Sequence, residues 1–343
     1  YGLITRKFVG EYDQRTMVES ALENMVTALG DRWSGYLDPQ QAQQVKDTRA
    51  NTYVGIGVTI GQEPEDGLEI LRVTEGGPAQ GAGLTPGEII RGVDGQTITA
   101  ENRDEMVRAI QGEAGTTVTL EVESTDGARR TVEVARQEIH GVTATWTMLE
   151  GQVGLVTIQN FYSGTAELVQ QGVAELQAQG AQALVFDLRN NPGGYVTELT
   201  AILDYLLPEG TIFISRTNDG EETVYTSDAA CIDLPMAVLV NADSYSAAEF
   251  FAAELREAAG AVVAGEQTSG KGYSQMLFTL ADGSAISLST ARYYTGSGVS
   301  LIGTGVTPDP LVELSQEDQQ RLLTGTLPPE EDPQLQGALE SLA

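Results

Sequence analysis

Hydrophobic residues change their spacing along the chain, and each change predicts a different kind of structure. Over residues 16–30, Met17, Val18, Ala21, Leu22, Met25, Val26 and Leu29 recur at helical spacing, and Gly30 is placed to stop the helix. From about residue 53 to 134, short β-type runs (VGIGVTI, LEILRV, IIRGVDG, TVTLEV) alternate with Gly-rich turns, which predicts a small β-rich unit. Inside it, Met106, Val107 and Ile110 share one face of a helical stretch, so a single helix is expected beside the sheet. From about residue 153 the runs GLVTI, ALVFDL, MAVLVN and AVVAG alternate with helical stretches such as residues 166–179, the pattern of an α/β core. The last stretch, PPEEDPQLQGALESLA, reads as a loop and a short amphipathic helix. The expected organisation is a helical region at 1–52, a β-rich unit at 53–138, an α/β core at 139–315 and a helical segment at 316–343. That last segment is expected to pack with the N-terminal region or a dimer partner.

Composition narrows the function classes. The 343 residues, 41% of them hydrophobic, are enough for two or three domains. Acidic residues outnumber basic ones 49 to 19, and the net charge of -30 repels nucleic-acid phosphates and anionic membrane surfaces. Apart from the short run Glu330, Glu331 and Asp332 the charge is spread out, as on a solvated surface. A lone Cys231 rules out an internal disulfide, and the single His140 leaves too few ligands for a zinc cage, so no metal or other cofactor is expected. The chain starts at Tyr1 and has no run of 18 apolar residues, and we expect that a signal peptide or anchor has been removed.

Three segments carry chemistry. In MAVLVNADSYSAAEFFAAELREAAG an apolar strand ends at Asn241 and a helix begins near Ser246, where unpaired N–H groups and the helix dipole favour developing negative charge. Ser246-Ala-Ala-Glu249 is equally the pattern of a capping box, so this segment alone leaves both roles open. In AVVAGEQTSGKGYSQ a strand runs into a Gly-rich loop presenting Lys271. Residues 265–271 spell G-x-x-x-x-G-K, yet position 272 is Gly where a phosphate loop needs Ser or Thr. A serine needs a base, and a lysine with a pKa lowered by burial can serve. In ALVFDLRNNPGGYV a strand enters a tight loop at residues 190–194, whose amides, with that of Ala247, suit an oxyanion hole.

Together these segments resemble the carboxyl-terminal processing, or tail-specific, proteases. The resemblance spans nearly the whole chain: DRWSGYLDP, YVGIGV, DLRNNPGG, VNADSYSAAE, GEQTSGKGYSQ, GTGVTPDPLV and DPQLQGALE. It implies a crotonase-like α/β protease core with an N-terminal helical region and an inserted PDZ domain. In the family the nucleophile precedes the base lysine by 25 positions, which selects Ser246 over Ser244 for Lys271. The resemblance implies that Gln275 orients the lysine amine, that Glu249 occupies the family's glutamate position, and that the oxyanion hole uses Ala247 and Gly193 in preference to Gly194. Two departures are Tyr245, which stands beside the nucleophile, and Gln111, where relatives often carry an arginine that couples PDZ position to the site.

Gly55, Ile56, Gly57 and Val58 resemble the carboxylate-binding loop of PDZ domains, with Val58 opening the strand edge and Met106, Val107 and Ile110 expected to form an apolar pocket. Peptides with apolar C-termini are therefore the expected ligands. The expected function is a serine endopeptidase, and family analogy places it outside the cytoplasmic membrane and suggests a homodimer. The alternative is a non-catalytic ligand- or peptide-binding protein on the same fold.

Overall fold

The computed structural model describes residues 1–61, 66–74 and 76–342, except for the side chain of His140. The chain divides into two compact units, Asn51–Gly141 and the remainder, Tyr1–Ala50 with Val142–Ala343.

The larger unit is built on a five-stranded sheet. Its strands Val153–Ile158, Ala183–Asp187, Met236–Val240 and Val262–Gly265 run parallel, with Ala144–Leu149 antiparallel at one edge. Two of these strands are buried at every position, as expected where helices cover both faces. Period-two alternation sorts their side chains. Leu184, Phe186, Val238 and Val240 enter the main core, which also holds Val173, Leu203 and Phe251 from the helices Thr165–Ala178, Val196–Leu206 and Ala247–Ala259. Val185, Ala237, Leu239 and Ala264 face the other way, against Leu335 and Ala338 of the C-terminal helix Pro333–Leu342.

That packing corrects the expectation for the C-terminal segment. The helix covers the second face of the parallel sheet, and Arg189, after the strand Ala183–Asp187, pins the approach to it by ion pairs to Asp187 at 2.6 Å and Asp332 at 2.8 Å. The N-terminal helix is present at Gln14–Thr27, started by Asp13, whose carboxylate accepts the Thr16 N–H at 2.7 Å. Of its apolar stripe only Val26 is buried. A second, antiparallel sheet contains Gly35–Leu37, Ala285–Tyr294, Gly210–Thr217 and Glu222–Ser227, with Tyr273–Thr279 on the other edge of Ala285–Tyr294.

The smaller unit has its own core around Leu68, Ile70, Ile90, Leu120 and Val122. Val58–Ile60, Leu68–Val73, Ile89–Val93, Thr117–Glu123 and Arg129–Ala135 form its main sheet, and Arg103–Ile110 is its longer helix. The buried Arg136 guanidinium donates to the carbonyls of Ala109 and Ile110, so a cation closes the C-terminal end of that helix. Met106 and Ile110, 2% and 4% exposed, lie in this core with Ile56. They fill the unit's interior, so of the three expected pocket residues only Val107 is half-buried, as is Val58 at the strand edge.

Candidate active site

The sheet's parallel strands deliver the three chemical segments to one place. After Met236–Val240 the chain turns through Asn241 to Tyr245 and enters the helix Ala247–Ala259. Ser246 sits on the turn with φ 60° and ψ -124°, a positive-φ conformation unusual for a residue with a side chain. Such a turn persists only where its surroundings hold it. Asn241 and Asn190 exchange two bonds of 2.9 Å, Ser244 Oγ donates to the Leu188 carbonyl at 2.8 Å, and the Tyr245 N–H donates to the Asn191 carbonyl at 3.1 Å. The Ser246 turn and the 190–194 loop are thus one hydrogen-bonded body.

Glu249 ties in the lysine loop. Its carboxylate, fully buried, accepts four bonds: from the Ser246 N–H at 2.9 Å, Thr268 Oγ1 at 2.6 Å, the Gly270 N–H at 2.7 Å and the Lys271 N–H at 2.8 Å. A buried carboxylate with both oxygens doubly satisfied is a cross-link between the backbones of Ser246 and Lys271. The capping pattern is legible in the sequence, but its reach to residues 268–271 is not.

Ser246, 8% exposed, and Lys271 line one cavity of about 420 Å³ together with Gly194, Tyr245, Tyr273 and Gln275. The lysine is half-buried, and burial, reinforced by Arg49, lowers its pKa from 10.5 to about 8 despite the opposing pull of Glu249. Its Nζ lies 4.5 Å from the ring centroid of Trp33 and 5.2 Å from that of Tyr245. Among the described residues no hydrogen bond joins Nζ to Ser246 Oγ; the ammonium rests among aromatic faces, which attract it as a cation. Trp33 was missed as a site residue, because nothing in DRWSGYLDP points to a contact with residue 271.

Two expected roles are not met in this arrangement. Gln275 donates its Nε2 to the Tyr273 carbonyl and to Ser289 Oγ, both at 3.1 Å, and so does not orient the lysine amine. The Gly193 N–H donates to Asn191 Oδ1 at 2.8 Å and is therefore taken, while Gly194, which lines the cavity, has an amide with no acceptor among the described residues. Gly193 serves by being small. At φ 81°, a Cβ there would stand 2.8 Å from Ser246 Cβ and 2.9 Å from the Ala247 nitrogen. Ala247 is the first helical residue, so its N–H has no partner within the helix.

Comparison with known proteins places the chain in a family. The family model of peptidase family S41 matches residues 152–312, and that of the PDZ domain matches residues 69–124. A chloroplastic C-terminal processing peptidase of Tetradesmus obliquus is 30% identical over 324 residues, covering 89% of this chain and 69% of its own. A CtpA-like serine protease of Staphylococcus aureus is 28% identical over 330 residues, 95% of this chain and 66% of its own. The chain thus spans about two thirds of the length of these relatives. The solved structure of a photosystem II D1 C-terminal processing protease matches with a TM-score of 0.56 at 28% identity, over 96% of this chain and 90% of that one. These findings favour the catalytic reading over the non-catalytic alternative. The chain belongs to peptidase family S41, as a serine peptidase of the C-terminal processing kind that carries a PDZ domain.

Proposed function

We propose that the protein hydrolyses peptide bonds with Ser246 as nucleophile and Lys271 as general base. Ser246 Oγ attacks the scissile carbonyl carbon while its proton passes to the neutral Lys271 amine. The oxyanion is held by the N–H groups of Ala247 and Gly194. The resulting ammonium protonates the leaving amine, and Lys271 then activates water to hydrolyse the Ser246 ester. The observation that carries this reading is the Glu249 carboxylate, which bonds the backbones of Ser246 and Lys271 at 2.9 and 2.8 Å and holds both at one cavity.

The resting contact with Trp33 and Tyr245 fits the same chemistry, since a ring attracts the ammonium and not the neutral amine. Losing the proton both creates the base and releases it toward Ser246. Gln275 lines the same cavity and would reach the amine by exchanging its present bonds. The test is mass-spectrometric analysis of an unfolded protein incubated with wild type, Ser246→Ala and Lys271→Ala. Cleavage by wild type that is lost in both variants is the expected result; retained cleavage in either removes that residue from the mechanism.

The inserted unit is read as the receptor for substrate C-termini. Gly57, at φ 81°, gives the 55–58 loop a turn that suits carboxylate capture, and Val58 and Val107 are its half-buried apolar residues. Amidating the C-terminus of a susceptible peptide should raise its KM; an unchanged kcat/KM removes carboxylate recognition. A location outside the cytoplasmic membrane, secreted or tethered, follows from the family resemblance, and cell fractionation checks it.

A further inference from the structure

Charge is distributed against the trend of the chain at one place. A cavity of about 990 Å³ lies on the second sheet, and its charged lining consists of Arg32, Arg216, Arg292 and a single acid, Asp31. In a sequence with 49 acidic and 19 basic residues, a lining with three arginines to one aspartate is a local reversal of sign. Topology explains why the cavity exists. Along one edge of Ala285–Tyr294, the strand Gly35–Leu37 pairs as far as Ser287 and the strand Gly210–Thr217 begins at Ala291. The intervening residues 288–290 have no strand partner on that edge and form part of the cavity lining.

The register makes the arginines unusual. Arg216 and Arg292 are direct cross-strand partners, an arrangement of like charges that opposes pairing. Arg216 is neutralised by an ion pair with Glu222 and stacks 4.6 Å from the Tyr294 ring. Arg32 donates to the Ser269 carbonyl at 3.2 Å and lies 4.4 Å from the Trp33 ring. Asp31 is engaged by Ser34 Oγ at 2.6 Å and by the Trp33 N–H at 3.1 Å. The Arg292 side chain is exposed and has neither ion pair nor hydrogen bond among the described residues. With Arg216 already paired to Glu222, an anion in the cavity would supply the partner that Arg292 lacks.

We propose that this cavity is a second substrate-binding site, taking an acidic peptide segment whose carboxylates are held by Arg292 with Arg216 and Arg32. The assignment rests on the protease reading for the kind of ligand. Arginine forks match carboxylates in two-point geometry, the walls supplied by Trp33, Tyr273 and Tyr294 suit side-chain stacking, and the net charge of -30 disfavours a long polyanion. Tyr273 lines both this cavity and that of Ser246, so the two adjoin and one extended substrate chain can occupy both.

The experiment uses the full chain carrying Ser246→Ala and a fluorescent, end-blocked peptide Glu-Asp-Tyr-Asp-Glu, with Gln-Asn-Tyr-Asn-Gln as its neutral counterpart. The acidic peptide should bind about tenfold tighter, and Arg292→Gln should weaken it about fivefold. Arg6→Gln, which removes an equal charge from the N-terminal helix, should leave binding unchanged. Equal binding of the two peptides, or equal weakening by both substitutions, overturns the site. Inorganic phosphate displacing the peptide as well as unlabelled peptide does, at matched ionic strength, overturns the peptide assignment in favour of a small anion. In the active enzyme, Arg292→Gln should raise KM about fivefold for a substrate with an acidic segment, with kcat kept. An unchanged KM overturns the substrate role. Because binding is read in the Ser246→Ala chain, failure of the proteolytic mechanism is a separate result.

Discussion

The proposed nucleophile and the proposed base of this site are held in different ways. Ser246 is fixed through backbone: its turn shares hydrogen bonds with residues 188–191, and its N–H is anchored on Glu249. Lys271 is anchored on the same carboxylate only at its backbone N–H, while its amine lies against Trp33 and Tyr245 with no bond to Ser246. One half of the machinery is therefore assembled, and the other needs only a side-chain movement and the loss of a proton. A contact of this kind is worth about 0.5–2 kcal/mol, small enough for substrate or pH to overcome.

The largest expected effect comes from Glu249, which serves both halves. Glu249→Gln keeps the shape but places an NH2 group against two donors that now meet an oxygen. Both backbones should shift, and kcat should fall about 100-fold with KM little changed. A kcat within about twofold of wild type would show that the carboxylate stabilises the fold without positioning the pair.

A smaller effect isolates the base. With its pKa lowered to about 8, Lys271 is mostly protonated at neutral pH, so kcat/KM should rise with pH up to about 8 and then level off. The Trp33 ring favours the ammonium, so Trp33→Leu should move the inflection down by about half a unit and raise the rate at neutral pH about threefold. An inflection that moves upward, or a loss that is equal at every pH, would mean that the ring places the amine productively instead of holding it back.

The same contrast separates what the residue pattern revealed from what it did not. The strand-to-helix turn at Ser246, the glycine-flanked Lys271 and the 190–194 loop are local features that the residue pattern shows, but their expected roles came from the family resemblance, since each segment alone also reads as a cap or a turn. Choosing Gly194 over Gly193 depended on the side chain of Asn191, which captures the Gly193 amide from two residues away. Met106 and Ile110 form an apolar helical face, but periodicity does not tell whether such a face meets a ligand or a core. The C-terminal helix went to the parallel sheet because Val185, Ala237, Leu239 and Ala264 leave an apolar face there, and strands that are apolar throughout do not show which face lacks a cover. Trp33 is separated from Lys271 by most of the chain, and only the fold brings them together.

Glu254 sharpens the comparison from the other side. It lies on the same helix as Glu249 and is 1% exposed, yet among the described residues its carboxylate accepts from a single donor, the Gly296 N–H at 2.6 Å. Burial raises its pKa from 4.5 to about 8, opposed by that bond and reinforced by Glu257. Between those two values the folded chain keeps a proton that the unfolded chain has released, so stability falls as pH rises through this window. Glu254→Gln can still accept from Gly296 and carries no titrating proton. Its Tm should match wild type near pH 5 and exceed it at pH 9, by an amount corresponding to about 1–2 kcal/mol, with little change in kcat. Melting curves of the two proteins that stay parallel from pH 5 to 9 would mean that Glu254 is ionised in the folded chain. The difference between the two glutamates would then lie in something other than their donors.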